Sequence, residues 1–134
     1  GAVLREFVRQ RGLGKVVSGE VGFVLSEATV WAADVAFLSQ QRLPDGKLPD
    51  RFARFAPDLV AEVLSPPDSF SSVLDRVNGW LEAGVRLVWV VDPEGRKVYV
   101  CRAGQPVHTL AENDTLSGED VLPGFRCMVE EIFE

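Results

Sequence analysis

Residues 58–92 read DLVAEVLSPPDSFSSVLDRVNGWLEAGVRLVWVVD, and they decide the fold class. Asp58–Leu64 is a near-continuous apolar run, the pattern of a strand covered on both faces. The SPPDS segment interrupts it, and Asp68 is a candidate cap for the helix that follows. In that helix Phe70, Val73, Leu74, Val77, Trp80 and Leu81 form one apolar stripe, and Gly84 supplies the stop. Arg86–Asp92 is a second buried strand. A strand, a helix and a strand joined this compactly predict a right-handed parallel crossover.

Working outward, residues 2–11 carry Val3, Leu4, Phe7 and Val8 at helical spacing, with Gly12 and Gly14 as a stop. This first helix opens without an N-cap residue, which predicts a preceding segment outside the chain. Lys15–Leu25 alternates as a strand, SEAT at 26–29 is a turn, and Val30–Leu38 returns as a second strand. The interval 39–57, rich in Pro, Asp, Gly and Arg, reads as a long loop of the kind that tends to carry function. After the crossover, edge strands are expected at 97–102 and 106–110, and a short helix near 128–133. The expected class is α/β, one domain over residues 1–134 with a mixed sheet flanked by helices and a C-terminal β extension.

The 134 residues are enough for one domain, which buries roughly two-thirds of the surface its unfolded chain exposes. At 46% hydrophobic and 25% charged residues, the chain is not disordered. Its longest apolar run falls far short of the roughly 20 residues of a membrane helix. No membrane partner is expected. Residues 1–111 hold 13 Lys/Arg and 13 Asp/Glu, so the net charge of −6 resides in residues 112–134. That acidity argues against indiscriminate nucleic-acid binding. It leaves room for a local basic face at 42–54, RLPDGKLPDRFAR, with four positive charges against two negative. Cys101 and Cys127 lack zinc-ligand spacing and read as free thiols in a reducing cytoplasm.

Three common signatures fail. RGLGK at 11–15 follows a helix and precedes a strand, the reverse of a phosphate-binding loop. His108, the single histidine, has no accompanying nucleophile motif, and no GxGxxG follows a strand. Two acids within apolar runs remain: Asp34 in AADVAFLS and Glu62 in DLVAEVL. A carboxylate in such a run is costly unless paired, hydrogen-bonded or metal-bound. The strands allow Asp34 and Glu62 to converge, and a three-residue turn would place Glu20 opposite Asp34. Converging carboxylates suit a hard divalent cation such as Mg²⁺. The alternative is that one acid pairs with Arg76 or Arg86, and parity does not choose between these.

The phrases AADVAFLS, PDLVAEVLSPPDS, AGVRLVWVVDPEGRKVYVCRAG and LPGF together resemble the Uma-type endonucleases, a family of the PD-(D/E)XK nuclease superfamily. The likeness runs from about residue 5 to the C-terminus. It implies a restriction-endonuclease-like core and an Mg²⁺- or Mn²⁺-dependent hydrolysis of DNA phosphodiesters. Asp34 and Glu62 match the two metal-binding acids, and the Val63 carbonyl would complete the protein's ligands. Most of the superfamily carries a lysine two residues after the glutamate, where Leu64 stands here. This family moves it to the next helix, and Arg76 occupies the aligned position. It lies on the helix flank, about 100° from the centre of the apolar stripe. The family's N-terminal segment, with its own acid, is not in the chain.

Arginine stays protonated and cannot act as a base, though its planar fork can hold a phosphate oxygen. Arg51 and Arg54 are candidate phosphate contacts. The leading reading is therefore a metal-dependent endonuclease located in the cytoplasm. A second is a nuclease-fold module for binding or assembly with weakened or lost catalysis, favoured by the Lys-to-Arg change, the acidic tail and the missing segment. A third is another metal-dependent hydrolase on the same scaffold. The edge strands make a homodimer a further expectation.

Overall fold

The computed structural model describes residues 2–48 and 52–133. Helix α1 spans Ala2–Arg11, followed by strands β1 (Gly14–Val17), β2 (Gly22–Ser26), β3 (Thr29–Trp31) and β4 (Val35–Ser39). Two short 3₁₀ turns and the two-residue strand β5 (Phe52–Ala53) lead into β6 (Leu59–Val63). Helix α2 (Phe70–Glu82), β7 (Leu87–Asp92), β8 (Lys97–Cys101), β9 (His108–Leu110), β10 (Thr115–Ser117), β11 (Arg126–Met128) and α3 (Val129–Ile132) complete the order. The fold is mixed α/β, as the sequence predicts.

A six-stranded sheet runs β1-β4-β6-β7-β8-β9, with β6 and β7 parallel and the other pairs antiparallel. Alternation along β6 sends Val60 to one face and Leu59 and Ala61 to the other, and each face has its own apolar cluster. On the first face Val60, Val88 and Val90 pack with Val77 and Trp80 of α2 and Phe23 of the small sheet β3-β2-β5. On the second, Leu87, Trp89 and Val91 pack with Leu4 and Val8 of α1 and with Leu116, Leu122 and Phe125 of the C-terminal region. The buried-strand reading of 58–64 and 86–92 therefore holds, as does the parallel crossover.

Several expectations need correction. The two long hairpin arms are each broken in the middle. The first divides into β1 and β2 because Gly19 adopts φ +68° and donates its N–H to the Ala33 carbonyl, while the Glu20 carboxylate folds back onto the Ser18 N–H at 2.7 Å. The second divides at 32–34. The inner halves pair as β1–β4 in the main sheet and the outer halves as β2–β3 in the small one, so one bent ribbon serves two sheets. Helix α2 is capped by Ser69, whose Oγ accepts from the Ser72 N–H, and not by Asp68. Strand β8 is interior, because β9 pairs with it and takes the edge. The interval 39–57 contains local structure, and one acid at its end explains how it is held.

That acid is Asp58, 1% exposed, just ahead of β6. Its Oδ2 accepts the Ser39 N–H at 2.7 Å, and its Oδ1 meets Arg42 Nε at 3.1 Å and Arg86 Nη1 at 3.3 Å. Arg42 also donates to the Ala56 and Pro57 carbonyls. One buried carboxylate thus ties together the end of β4, the 3₁₀ region and the start of β7. Asp58→Ala leaves two guanidinium groups and an amide without their acceptor. It should cost roughly 3 kcal/mol, or about 10 °C in thermal midpoint. Asp58→Asn, which can still accept from Ser39, should cost less. A loss below about 1 kcal/mol for the alanine variant, measured by thermal denaturation, would remove Asp58 from this role.

Candidate metal and phosphate site

Glu62 is the fourth residue of β6 and shares the α2 face with Val60. It is 9% exposed, and its Oε1 accepts the Trp80 indole N–H at 3.0 Å and meets Arg76 Nε at 3.4 Å. Arg76 is itself pinned. Its Nη2 donates to the Ala32 carbonyl at 2.6 Å, and its guanidinium lies 4.7 Å from the Trp31 ring centre and 5.6 Å from that of Trp80. Trp31 meets Trp80 edge-on at 5.4 Å between centroids. Such close approach requires Gly79, since a Cβ there would come within 2.4 Å of the Trp31 ring. A glycine inside a helix costs about 1 kcal/mol against alanine. Here it admits an indole.

Asp34 lies one residue ahead of β4 and is exposed, which corrects its expected place inside a strand. Its Oδ2 accepts the main-chain N–H of Val63 at 2.7 Å. That bond sets Asp34 beside the C-terminal end of β6, next to Glu62. The two acids are close enough to influence one another's charge. Burial pushes the Glu62 carboxyl above the usual carboxylate range, the Arg76 guanidinium opposes the rise, and the Asp34 carboxylate adds to it.

The structure therefore brings together Asp34, Glu62, Val63 and Arg76. Glu20 does not face Asp34 across a ladder, because its residue lies in the turn between β1 and β2 and its carboxylate is engaged with Ser18. No three Asp, Glu, His or Cys side chains converge on a metal-sized site among the described residues. Arg54 is exposed just after β5, and Arg51 lies outside the described residues. Pairing between an acid and a helix arginine also holds: Glu62 takes Arg76, whereas Arg86 goes to Asp58. Sequence reading missed Trp80 and Trp31 as members of the site. A buried tryptophan needs a partner for its N–H, so Trp80 at a stripe position near a buried acid was the available signal.

Residues 1–130 match the model of the Uma2 family, described as putative restriction endonucleases. The chain belongs to this family. Among solved structures, it is similar to a crystal structure described as a putative nuclease belonging to DUF820 from Anabaena variabilis ATCC 29413. The TM-score is 0.83 and the identity 20%, over 98% of this chain and 74% of that one. At that identity the likeness shows the fold, which is the restriction-endonuclease-like one. No curated protein matches the chain. No helix among the described residues is long and apolar enough to cross a membrane.

In this Uma2 chain the raised pKa of Glu62 links stability to pH. As pH climbs between the unfolded and folded values, the folded chain retains a proton that the unfolded chain has released, so stability falls. Glu62→Gln removes that titration while keeping an acceptor for Trp80. The thermal midpoint of Glu62→Gln relative to the parent chain should therefore rise between pH 4 and pH 7. A difference that stays flat or falls across this interval would contradict a carboxylate held up by burial.

Proposed function

We propose that the chain is a divalent-metal-dependent endonuclease that hydrolyses DNA phosphodiester bonds. The observation that carries this reading is the use of the carboxylate oxygens. Asp34 uses Oδ2 for the Val63 amide, and Glu62 uses Oε1 for Trp80 and Arg76. Among the described residues neither Oδ1 of Asp34 nor Oε2 of Glu62 has a hydrogen-bond or ion-pair partner. Each acid is thus positioned by one oxygen and keeps the other. Two carboxylates near enough to influence one another's charge, each with an oxygen to spare, suit a hard cation that prefers oxygen ligands, Mg²⁺ or Mn²⁺, with the Val63 carbonyl as a third protein donor. When bound, such an ion supplies Lewis acidity for activating water and offsets negative charge at the phosphoryl group.

The chain's own residues do the rest. Val63 and Trp80 orient the two acids through N–H donors, which costs nothing in reorganisation at the moment of reaction. Arg76 keeps a permanent positive charge beside Glu62, favouring its ionised, ligating form. Its remaining donors can hold a phosphate oxygen. Proton transfer from water does not run through Arg76, because guanidinium does not deprotonate. Arg54, with Arg51, would contact backbone phosphates.

A second reading has its own observation. Arg76 is already committed to Glu62, Ala32 and Trp31, which is the behaviour of a residue that stabilises the site. A nuclease-fold module with weakened catalysis, acting in binding or assembly, is consistent with that.

Plasmid cleavage in Mg²⁺ or Mn²⁺ separates the two. Under the nuclease reading the parent chain nicks DNA and Asp34→Asn lowers the rate at least about 100-fold, as expected for loss of a metal ligand. Activity should fall in the order Arg76, Lys, Ala at position 76, since lysine keeps the charge and loses the fork. No cleavage by the parent chain, also in its longest natural form, would leave the module reading standing.

A further inference from the structure

The small sheet β3-β2-β5 turns Phe23 and Trp31 inward against Trp80. Its outer face is built from the residues that alternate with them. Val24 pairs with Val30, and Gly22 pairs with Phe52. Phe52 is 57% exposed and Val30 49% exposed, an unusual pairing of large apolar side chains left in water side by side. Gly22 makes this arrangement specific. A Cβ at that position would stand 2.9 Å from Val30 and 3.0 Å from the Phe52 ring, so the ring lies over bare backbone. Ala53 is buried, so Phe52 and Arg54 flank it on the exposed side of the chain. Arg54 has no ion-pair or hydrogen-bond partner among the described residues. The nearest acid in sequence to Gly22, Glu20, is turned back onto Ser18.

We propose that Phe52, seated on Gly22 and flanked by Val30 and Arg54, is a stacking platform for an unpaired nucleobase of the strand whose backbone runs to Asp34 and Glu62. This rests on the nuclease reading and names its substrate class: nucleic acid with single-stranded character beside the cleavage point. Three arguments support it. An exposed aromatic face next to an arginine is the combination that binds single strands without sequence preference, stacking for the base and cationic charge for the phosphate. The charge of Arg54, without a partner among the described residues, complements the phosphates of a polyanion, and the net charge of −6 lies in residues 112–134, not in the segment that carries the platform. The platform is also coupled to the site by position. Val30 precedes Trp31, which holds Arg76, and Val30 and Asp34 are four residues apart, no more than about 14 Å along the chain.

The test is fluorescence anisotropy of the full chain, without divalent metal, with a labelled single-stranded oligothymidylate and a duplex of equal length. Phe52→Ala and Phe52→Leu should each weaken single-strand binding about five-fold or more, and Phe52→Trp should preserve it, while duplex binding changes less than two-fold. The leucine variant keeps apolar bulk and removes the π face, so a shared loss identifies stacking. Arg54→Ala should lower the log–log salt slope for the single strand by about 0.7. Equal affinities for the parent, alanine and leucine chains would overturn the platform and leave the nuclease reading intact. Phe52-dependent binding by a chain that cleaves nothing would do the reverse. A loss of self-association in Phe52→Ala, seen by sedimentation without DNA, would make the patch an interface between copies and also overturn it.

Discussion

A single carboxylate taken out of water organises this molecule. Glu62 sits in a strand buried on both faces, and an ionised group there is tolerated only if its charge and hydrogen-bonding capacity are met. Helix α2 meets both needs, with an indole N–H from Trp80 and a guanidinium from Arg76 on the same oxygen. Much follows from that contact. Arg76 draws the Ala32 carbonyl and the Trp31 ring against α2, and Gly79 gives the ring room. The small sheet is thereby fixed over the helix, and the chain between β3 and β4 passes where Asp34 can reach the Val63 amide.

The contrast with Asp58 separates two uses of a buried acid. Both oxygens of Asp58 are occupied, by the Ser39 amide on one and two arginines on the other, and it is nearly inaccessible. The effect expected of it is on stability. Asp34 and Glu62 are each secured through one oxygen. Their partners orient them without exhausting them, which is what preorganisation of a charged site requires. Their mutual repulsion is unfavourable in the isolated chain, and a bound cation would relieve it.

The core of the fold was legible because its signals are local and strong. Two apolar strands flanking an amphipathic helix admit few arrangements, and residues 58–92 adopt the expected one. The hairpin arms were harder. Alternation through 15–25 continues across Ser18–Val21, and what breaks it is a glycine with positive φ bonded to Ala33, a contact with no signature in hydrophobic pattern. That same break undid the expected pairing of Glu20 with Asp34. At the candidate site, which the structure draws together, Asp34 and Glu62 were singled out from residue type and Val63 and Arg76 from family likeness. The roles of Trp31, Trp80 and Gly79 were not, because tryptophan in an apolar stripe reads as packing until the position of its N–H is known. Asp58 was hidden for a similar reason: its partners Arg42 and Arg86 are 16 and 28 residues away in the chain.

The central claim is that Asp34 and Glu62 act as one ligand set for a divalent cation, and Mn²⁺ tests it most directly. Electron paramagnetic resonance of free Mn²⁺, titrated with the chain, reports binding without requiring catalysis. The account predicts one Mn²⁺ per chain, displaced by Mg²⁺, and loss of that binding on either Asp34→Asn or Glu62→Gln. Binding that survives both substitutions, or that is absent from the parent chain, would contradict it.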